Sequence, residues 1–145
     1  MAFIETLRDQ IKRHEGAVRD SRGNHILYKC PADKWTLGYG RNVQDRGITD
    51  SEANHLLDSD ILKSMQELGE SFPWFNSLDD VRRGVLIDMH FNLGLPRLKT
   101  FKRTLQAIAE GDYRAASEEM LDSRWASQVG RRAITLSQQM LTGSW

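Results

Sequence analysis

The sequence predicts an α+β fold, mainly helical, with a small β lobe near the N-terminus and a helical lobe after it. Three observations carry this. Apolar residues recur at helical spacing over most of the 145 residues. One stretch only, about residues 25–40, reads as β-formers punctuated by turns. The segment after Thr49 keeps the helical period for about five turns, long enough to join two lobes. The expected organisation is a single domain over residues 1–145: a β-containing lobe at about 13–48, a linking helix at about 49–70, and a helical lobe at about 71–145 together with the N-terminal helix.

In order along the chain, Phe3, Ile4, Leu7 and Ile11 mark one face of a short amphipathic helix that ends near Gly16. Glu15 falls at or just beyond its last turn. The dipole there offers a carboxylate nothing, which suits a group that must carry a proton. The cluster Asp20-Ser21-Arg22-Gly23-Asn24 is a turn signal. His25 to Cys30 then reads as a strand, Pro31 to Lys34 as a turn, and Trp35 to Gly40 as a second strand, giving a hairpin or a three-stranded sheet. Gly38 and Gly40 flank Tyr39, a pattern of backbone pressed close to a ligand or to a neighbouring strand.

Thr49-Asp50-Ser51-Glu52 is a capping box opening the long helix, with Ala53, Leu56, Leu57, Ile61, Met65 and Leu68 on its apolar positions. Ser77 and Asp80 are the expected caps of a strongly apolar helix bearing Val81, Val85, Leu86, Met89 and Leu93, stopped by Gly94. Three further helices are expected. One carries Phe101, Leu105 and Ile108 and ends at Gly111; one runs from Tyr113 into Ser123-Arg124-Trp125-Ala126; the last carries Ile134, Leu136, Met140 and Leu141 and stops at Gly143.

Bulk properties narrow the function classes. Twenty basic side chains balance twenty acidic ones, so neither the basic excess nor the basic face of a nucleic-acid binder is evident. The single cysteine, Cys30, permits no internal disulfide, consistent with synthesis in a reducing cytosol. The N-terminus lacks the apolar core of a signal peptide, and no segment approaches a membrane span, so stable membrane association is not expected. His14, His25, His55 and His90 show no paired ligand spacing, and no metal or cofactor is expected. His90 reads as a satisfied helix residue. Phosphate-loop and nucleophilic-serine motifs are absent.

Glycoside cleavage needs a proton donor for the leaving oxygen and usually a second group that handles water. Glu15 leads directly into the β lobe and is the candidate donor. Taken alone, a glutamate in a short helix is an ordinary surface residue. The order Glu15-Gly16, Tyr28, Cys30, then Thr36 within Trp35-Thr36-Leu37-Gly38-Tyr39-Gly40-Arg41-Asn42, resembles the phage-type lysozymes, or endolysins, of glycoside hydrolase family 24. The five residues between Cys30 and Thr36 match that family's spacing. The likeness continues through residues 77–94 and 122–133 and the terminal Leu141-Thr142-Gly143-Ser144-Trp145.

The resemblance implies a lysozyme-like fold and a muramidase cutting the β-1,4 bond between N-acetylmuramic acid and N-acetylglucosamine of bacterial peptidoglycan. It implies Glu15 as general acid, with Cys30 and Thr36 positioning or activating water in an inverting reaction; Asp20 and Asp33 are the alternative groups for activating that water. Cys30 is otherwise read as a small buried hydrophobe of a strand, and Thr36 as an ordinary β-former. Asn92, Phe91 and Arg132 are the implied substrate contacts; Phe91 and Trp125 have a core reading as well, since aromatics at helical spacing are usually packed. A monomer is implied, made in the host bacterium's cytoplasm, released to the wall through a holin-like pore, and lysing the cell. The rival readings are a catalytically inactive peptidoglycan-binding module of the same fold and a helical DNA-binding protein.

Three departures from the family pattern stand out. Fourteen residues separate Glu15 from Cys30, six more than the common motif, which lengthens the loop around Asp20 to His25. Arg41 stands where many relatives have histidine, and Arg131 where asparagine is usual. The insertion brings in Asp20 as an alternative carboxylate; with Ile26 rather than threonine at the matching offset, it is read as a turn residue.

Overall fold

A computed structural model describes residues 1–145. The chain divides into two compact units, Met1–Leu56 and Leu57–Trp145.

The first unit begins with helix α1 (Ala2–Glu15), which closes at Gly16, where φ is 67° and the N–H reaches back to the Lys12 carbonyl. The stripe Phe3, Ile4, Leu7 and Ile11 is on one face as expected, and all four are exposed. A turn follows, closed by Ile26 N–H to Val18 O (3.1 Å) and by an antiparallel bridge between Arg19 and His25. Then come strands β1 (Tyr28–Lys29), β2 (Trp35–Leu37) and β3 (Arg41–Asn42), antiparallel in the order β1-β2-β3. Tyr28 and Asn42 are the two register partners of Thr36.

The strands are shorter than the sequence suggests. His25 pairs with Arg19 instead of β2, so the expected strand from His25 shrinks to Tyr28–Lys29, with Ile26 and Leu27 exposed before it. The expected second strand ends at Leu37 because Gly38 (φ 66°) and Gly40 (φ 88°) reverse the chain into β3. The other hairpin turns through Pro31 to Asp33. Pro31 has its fixed φ, Asp33 takes a left-handed conformation (φ 60°), and the Cys30 N–H bonds Lys34 O at 3.0 Å.

Asn42 caps a one-turn helix, α2 (Val43–Arg46), by accepting from the Asp45 N–H at 3.0 Å. Helix α3 (Asp50–Ser71) then opens on the capping box foreseen in the sequence. Glu52 N–H donates to Thr49 Oγ1 at 3.1 Å, and Thr49 N–H donates to Glu52 Oε1 at 2.9 Å. Arg41 adds a two-pronged contact to the same carboxylate, at 2.8 and 2.7 Å.

The second unit takes over α3 from Leu57 and holds the hydrophobic core. A single 3-10 turn (Phe75–Ser77) precedes α4 (Asp80–Leu93), α5 (Leu95–Leu98), α6 (Lys102–Ala109), α7 (Tyr113–Leu121), α8 (Arg124–Val129) and α9 (Arg131–Thr142). Leu68, Phe75, Val85, Leu86, Met89, Leu98, Met120 and Met140 are fully buried here. Each such side chain contributes on the order of 1.5–3 kcal/mol by leaving water.

Two element boundaries differ from the sequence reading. Asp79, not Ser77 or Asp80, caps α4, accepting from Arg82 N–H at 3.2 Å, because the 3-10 turn occupies Ser77. The helix expected to run from Tyr113 through Ala126 breaks at Asp122. There the Ser123 hydroxyl accepts from Ala126 N–H at 3.1 Å and starts α8 afresh. Arg82 ties the start of α4 to the end of α9, donating to the carbonyls of Met140 (2.7 Å) and Leu141 (3.1 Å) with its guanidinium over Tyr113.

Candidate active site

Glu15 is the last residue of α1, exposed, and its carboxylate makes no hydrogen bond or ion pair. What it touches is Gly40. A Cβ built there would lie 2.8 Å from Glu15 Oε2 and 2.9 Å from its carboxyl carbon, a separation that real Cβ atoms do not adopt. Gly40 therefore does two things: it supplies the positive φ that turns β2 into β3, and it leaves room for the carboxylate. The glycine pair signalled a close approach in the sequence, and the neighbour is the proposed acid itself. Sequence reasoning did not single out Gly40 as part of the site, because nothing in the local spacing says what presses on it.

Thr36 lies in β2 and Cys30 directly follows β1, to either side of the Pro31–Asp33 turn. Thr36 is 2% exposed, the one buried residue of the first unit, and its hydroxyl donates to Lys34 O at 2.8 Å. Cys30 is half-buried and carries a free thiol. Its pKa is held below the ordinary thiol value: the Lys34 N–H lowers it most, desolvation opposes this, and the Ala32 N–H and the Thr36 side chain add smaller lowering effects. The turn that follows Cys30 thus lowers the pKa of its thiol.

Asp20 is occupied elsewhere. Its Oδ1 accepts from the Arg22 and Asn24 N–H groups at 2.9 and 3.0 Å, and its Oδ2 pairs with the Arg22 guanidinium at 3.0 Å. The Arg22 contact, followed by the Asn24 N–H, holds this carboxyl below the usual range. Its position is that of a turn residue, as its sequence context indicated.

The three expected substrate contacts all fall in the second unit. Phe91 and Arg132 line one groove of about 530 Å3 together with Leu57, Ile61, Ile87 and Trp145. Phe91 is exposed, so its core reading does not hold. Arg132 is bonded to Asp88 through Nε at 2.7 Å, which fixes the guanidinium plane. Asn92 is not in that groove: its Oδ1 accepts from Trp125 Nε1 at 2.7 Å, satisfying the indole of a nearly buried tryptophan. Trp125 is core, edge-on to Phe101 at 6.0 Å. His90 is satisfied between Ser64 (2.6 Å) and Glu67 (3.1 Å), as a helix residue should be.

Comparison with known proteins identifies the family of the chain. The chain is 31% identical to the probable T4-type lysozyme 1 of Dictyostelium discoideum, covering 98% of this chain and 97% of that one. It is 30% identical to an endolysin of Acyrthosiphon pisum secondary endosymbiont phage 1, over 84% of this chain and 80% of the relative. A SAR-endolysin of Haemophilus phage HP1 is 29% identical over 72% of this chain and 55% of its own length. The family model described as phage lysozyme matches residues 6–139, and so spans parts of both units, with Glu15, Cys30, Thr36, Phe91 and Arg132 inside the match. On that match the chain belongs to the phage lysozyme family.

Proposed function

We propose that this protein is an endolysin that hydrolyses the β-1,4 bond between N-acetylmuramic acid and N-acetylglucosamine in bacterial peptidoglycan. Glu15 is the general acid: protonated, it donates to the glycosidic oxygen as the bond to the anomeric carbon breaks. Thr36 and Cys30 hold the water that attacks the opposite face, and the Cys30 thiolate takes up its proton, giving inversion. The observation that carries the reading is the unpaired Glu15 carboxylate seated on Gly40 of the Thr36-to-Gly40 run, in a chain whose family match includes every one of these residues. The lowered pKa of Cys30 supports it as the base, a role a thiol of ordinary pKa fills poorly at neutral pH.

Phe91 and Arg132 line the groove that takes glycan or stem peptide, with the Arg132 guanidinium meeting a carboxylate. Asn92 acts through Trp125, which it holds. The enzyme acts as a monomer on the cell wall, reaching it through a holin-like pore, and the result is lysis. No helix of the protein is long and apolar enough to cross a membrane.

The test is clearing of purified peptidoglycan by wild type and Glu15→Gln side by side, with mass spectrometry of the released fragments. Wild type should clear the walls and leave N-acetylmuramic acid at the new reducing ends. Glu15→Gln should lose at least ~10²-fold in rate with its fold intact. Binding without clearing by folded wild type would favour the inactive binding module instead.

A further inference from the structure

The turn that carries Gly40 is Gly38-Tyr39-Gly40, and both glycines take positive φ. Two residues without Cβ atoms give this turn little stiffness of its own. Tyr39 carries the only side chain of the turn; apart from a long bond from the Tyr28 hydroxyl to Gly38 O (3.5 Å), the rest of the unit holds the turn by that side chain. Three groups do so. The Arg19 guanidinium donates to Tyr39 Oη at 2.8 Å; the His25 ring meets the tyrosine ring edge-on, centroids 5.0 Å apart at 73°; and Lys12 Nζ lies 5.2 Å from the ring centroid.

These grips come from two directions. Lys12 stands one turn before Glu15 on the same face of α1. Arg19 and His25 are bridge partners in the turn over residues 18–26, the part of the chain that the lengthened segment between Glu15 and Cys30 provides. That turn is closed on itself: Asp20 holds Arg22 and Asn24, and the second Arg19 nitrogen donates to Gly23 O at 2.8 Å, so the guanidinium reaches Tyr39 already fixed. His25 leaves its Nδ1 buried without a partner, so packing on Tyr39, not a bond of its own, sets the ring's place.

We propose that Tyr39 is a positioning residue, and that the insertion exists to brace it. The contacts Glu15–Gly40, Tyr39–Lys12 and Tyr39–Arg19/His25 form a closed circuit that fixes where the acid's carboxylate stands. This rests on the reading of Glu15 as the acid. Removing the grip lets the Gly-Tyr-Gly turn shift, and Gly40 no longer limits the carboxylate. The substrate is still bound, so turnover suffers while affinity does not.

The experiment compares Tyr39→Leu, Tyr39→Phe and Arg19→Met with wild type on soluble uncrosslinked glycan strands, well below each variant's melting temperature. Tyr39→Leu should lose ~10-fold in kcat with KM within about twofold of wild type. Tyr39→Phe keeps the ring and its contacts with His25 and Lys12, and should restore most of that loss. Arg19→Met should fall between them, and it decides the matter if Tyr39→Leu does not fold. Unchanged kcat in Tyr39→Leu or Arg19→Met overturns the proposal. So does a loss confined to KM, which would make the ring a substrate contact. Should wild type itself prove inactive, the Glu15 Cδ and Gly40 amide NMR resonances still test the brace. Their movement in Tyr39→Leu and return in Tyr39→Phe support it, and unmoved resonances overturn it.

Discussion

Replacing Gly40 with alanine forces two changes at once. The left-handed conformation costs an L-residue about 1–2 kcal/mol, and the new methyl occupies the space of the Glu15 carboxylate. The carboxylate ends a flexible side chain, so it yields before the backbone does. Gly40→Ala should therefore fold, with a lowered melting temperature, and lose up to ~10²-fold in cleavage rate through displacement of the acid by an ångström or so. A rate equal to wild type would show that Glu15 need not stand on Gly40 to act. Cys30 gives a second test at this scale. With its pKa held below the ordinary thiol value, thiolate absorbance near 240 nm should titrate at lower pH than in an unstructured peptide of the same sequence. Thr36→Val, which removes one of the donors, should move the midpoint up. A midpoint at or above that of the peptide would leave Cys30 without its proposed role as base. These residues were legible in the sequence only as an order and a spacing. That Glu15 meets Gly40, or that Asp20 is consumed by its own turn, depends on contacts between segments that no spacing encodes.

Helix α3 owes its start to a single carboxylate. Glu52 accepts from the Thr49 N–H and pairs with Arg41, and its pKa is lowered chiefly by the Thr49 contacts, with Arg41 adding to them. A depressed folded-state pKa means that the stabilisation is present above the unfolded value, about 4.3, and is lost as pH falls through the folded one. Glu52→Gln should therefore lower the melting temperature at pH 7, and the gap to wild type should narrow as pH falls below that unfolded value. A gap that persists there would assign the effect to packing instead. The capping box was readable because its two partners are three residues apart. The β strands were less so. Ile26 and Leu27 have strand propensity but no partner strand, while Asp79 rather than Ser77 caps α4 because the unforeseen 3-10 turn shifts the start.

Across the whole chain, stability is unevenly shared. Every residue of the hydrophobic core cluster belongs to Leu57–Trp145, whereas Met1–Leu56 buries Thr36 and holds itself with turns, caps and polar contacts. Native-state hydrogen exchange should follow this division. Amides of α4, α7 and α9 should exchange only through the highest-energy openings, and those of α1 and the sheet through lower ones. Equal protection in both units would show that the first has stabilising contacts beyond those described.

The sequence by itself determined the helix-rich α+β class, the long helix and its cap, the glycine stops at Gly16, Gly94 and Gly143, and the family to which the chain belongs. All of these rest on periodicity or on short-range chemistry, where the interacting groups are a turn or less apart. Only the tertiary structure shows that Glu15 stands on Gly40, that Arg19 and His25 grip Tyr39, that Asn92 serves Trp125, and that Phe91 and Arg132 share a groove while Asn92 does not. Each of these joins residues 14 or more positions apart. Such pairings are chosen by the packing of whole elements, and a linear pattern carries no record of them.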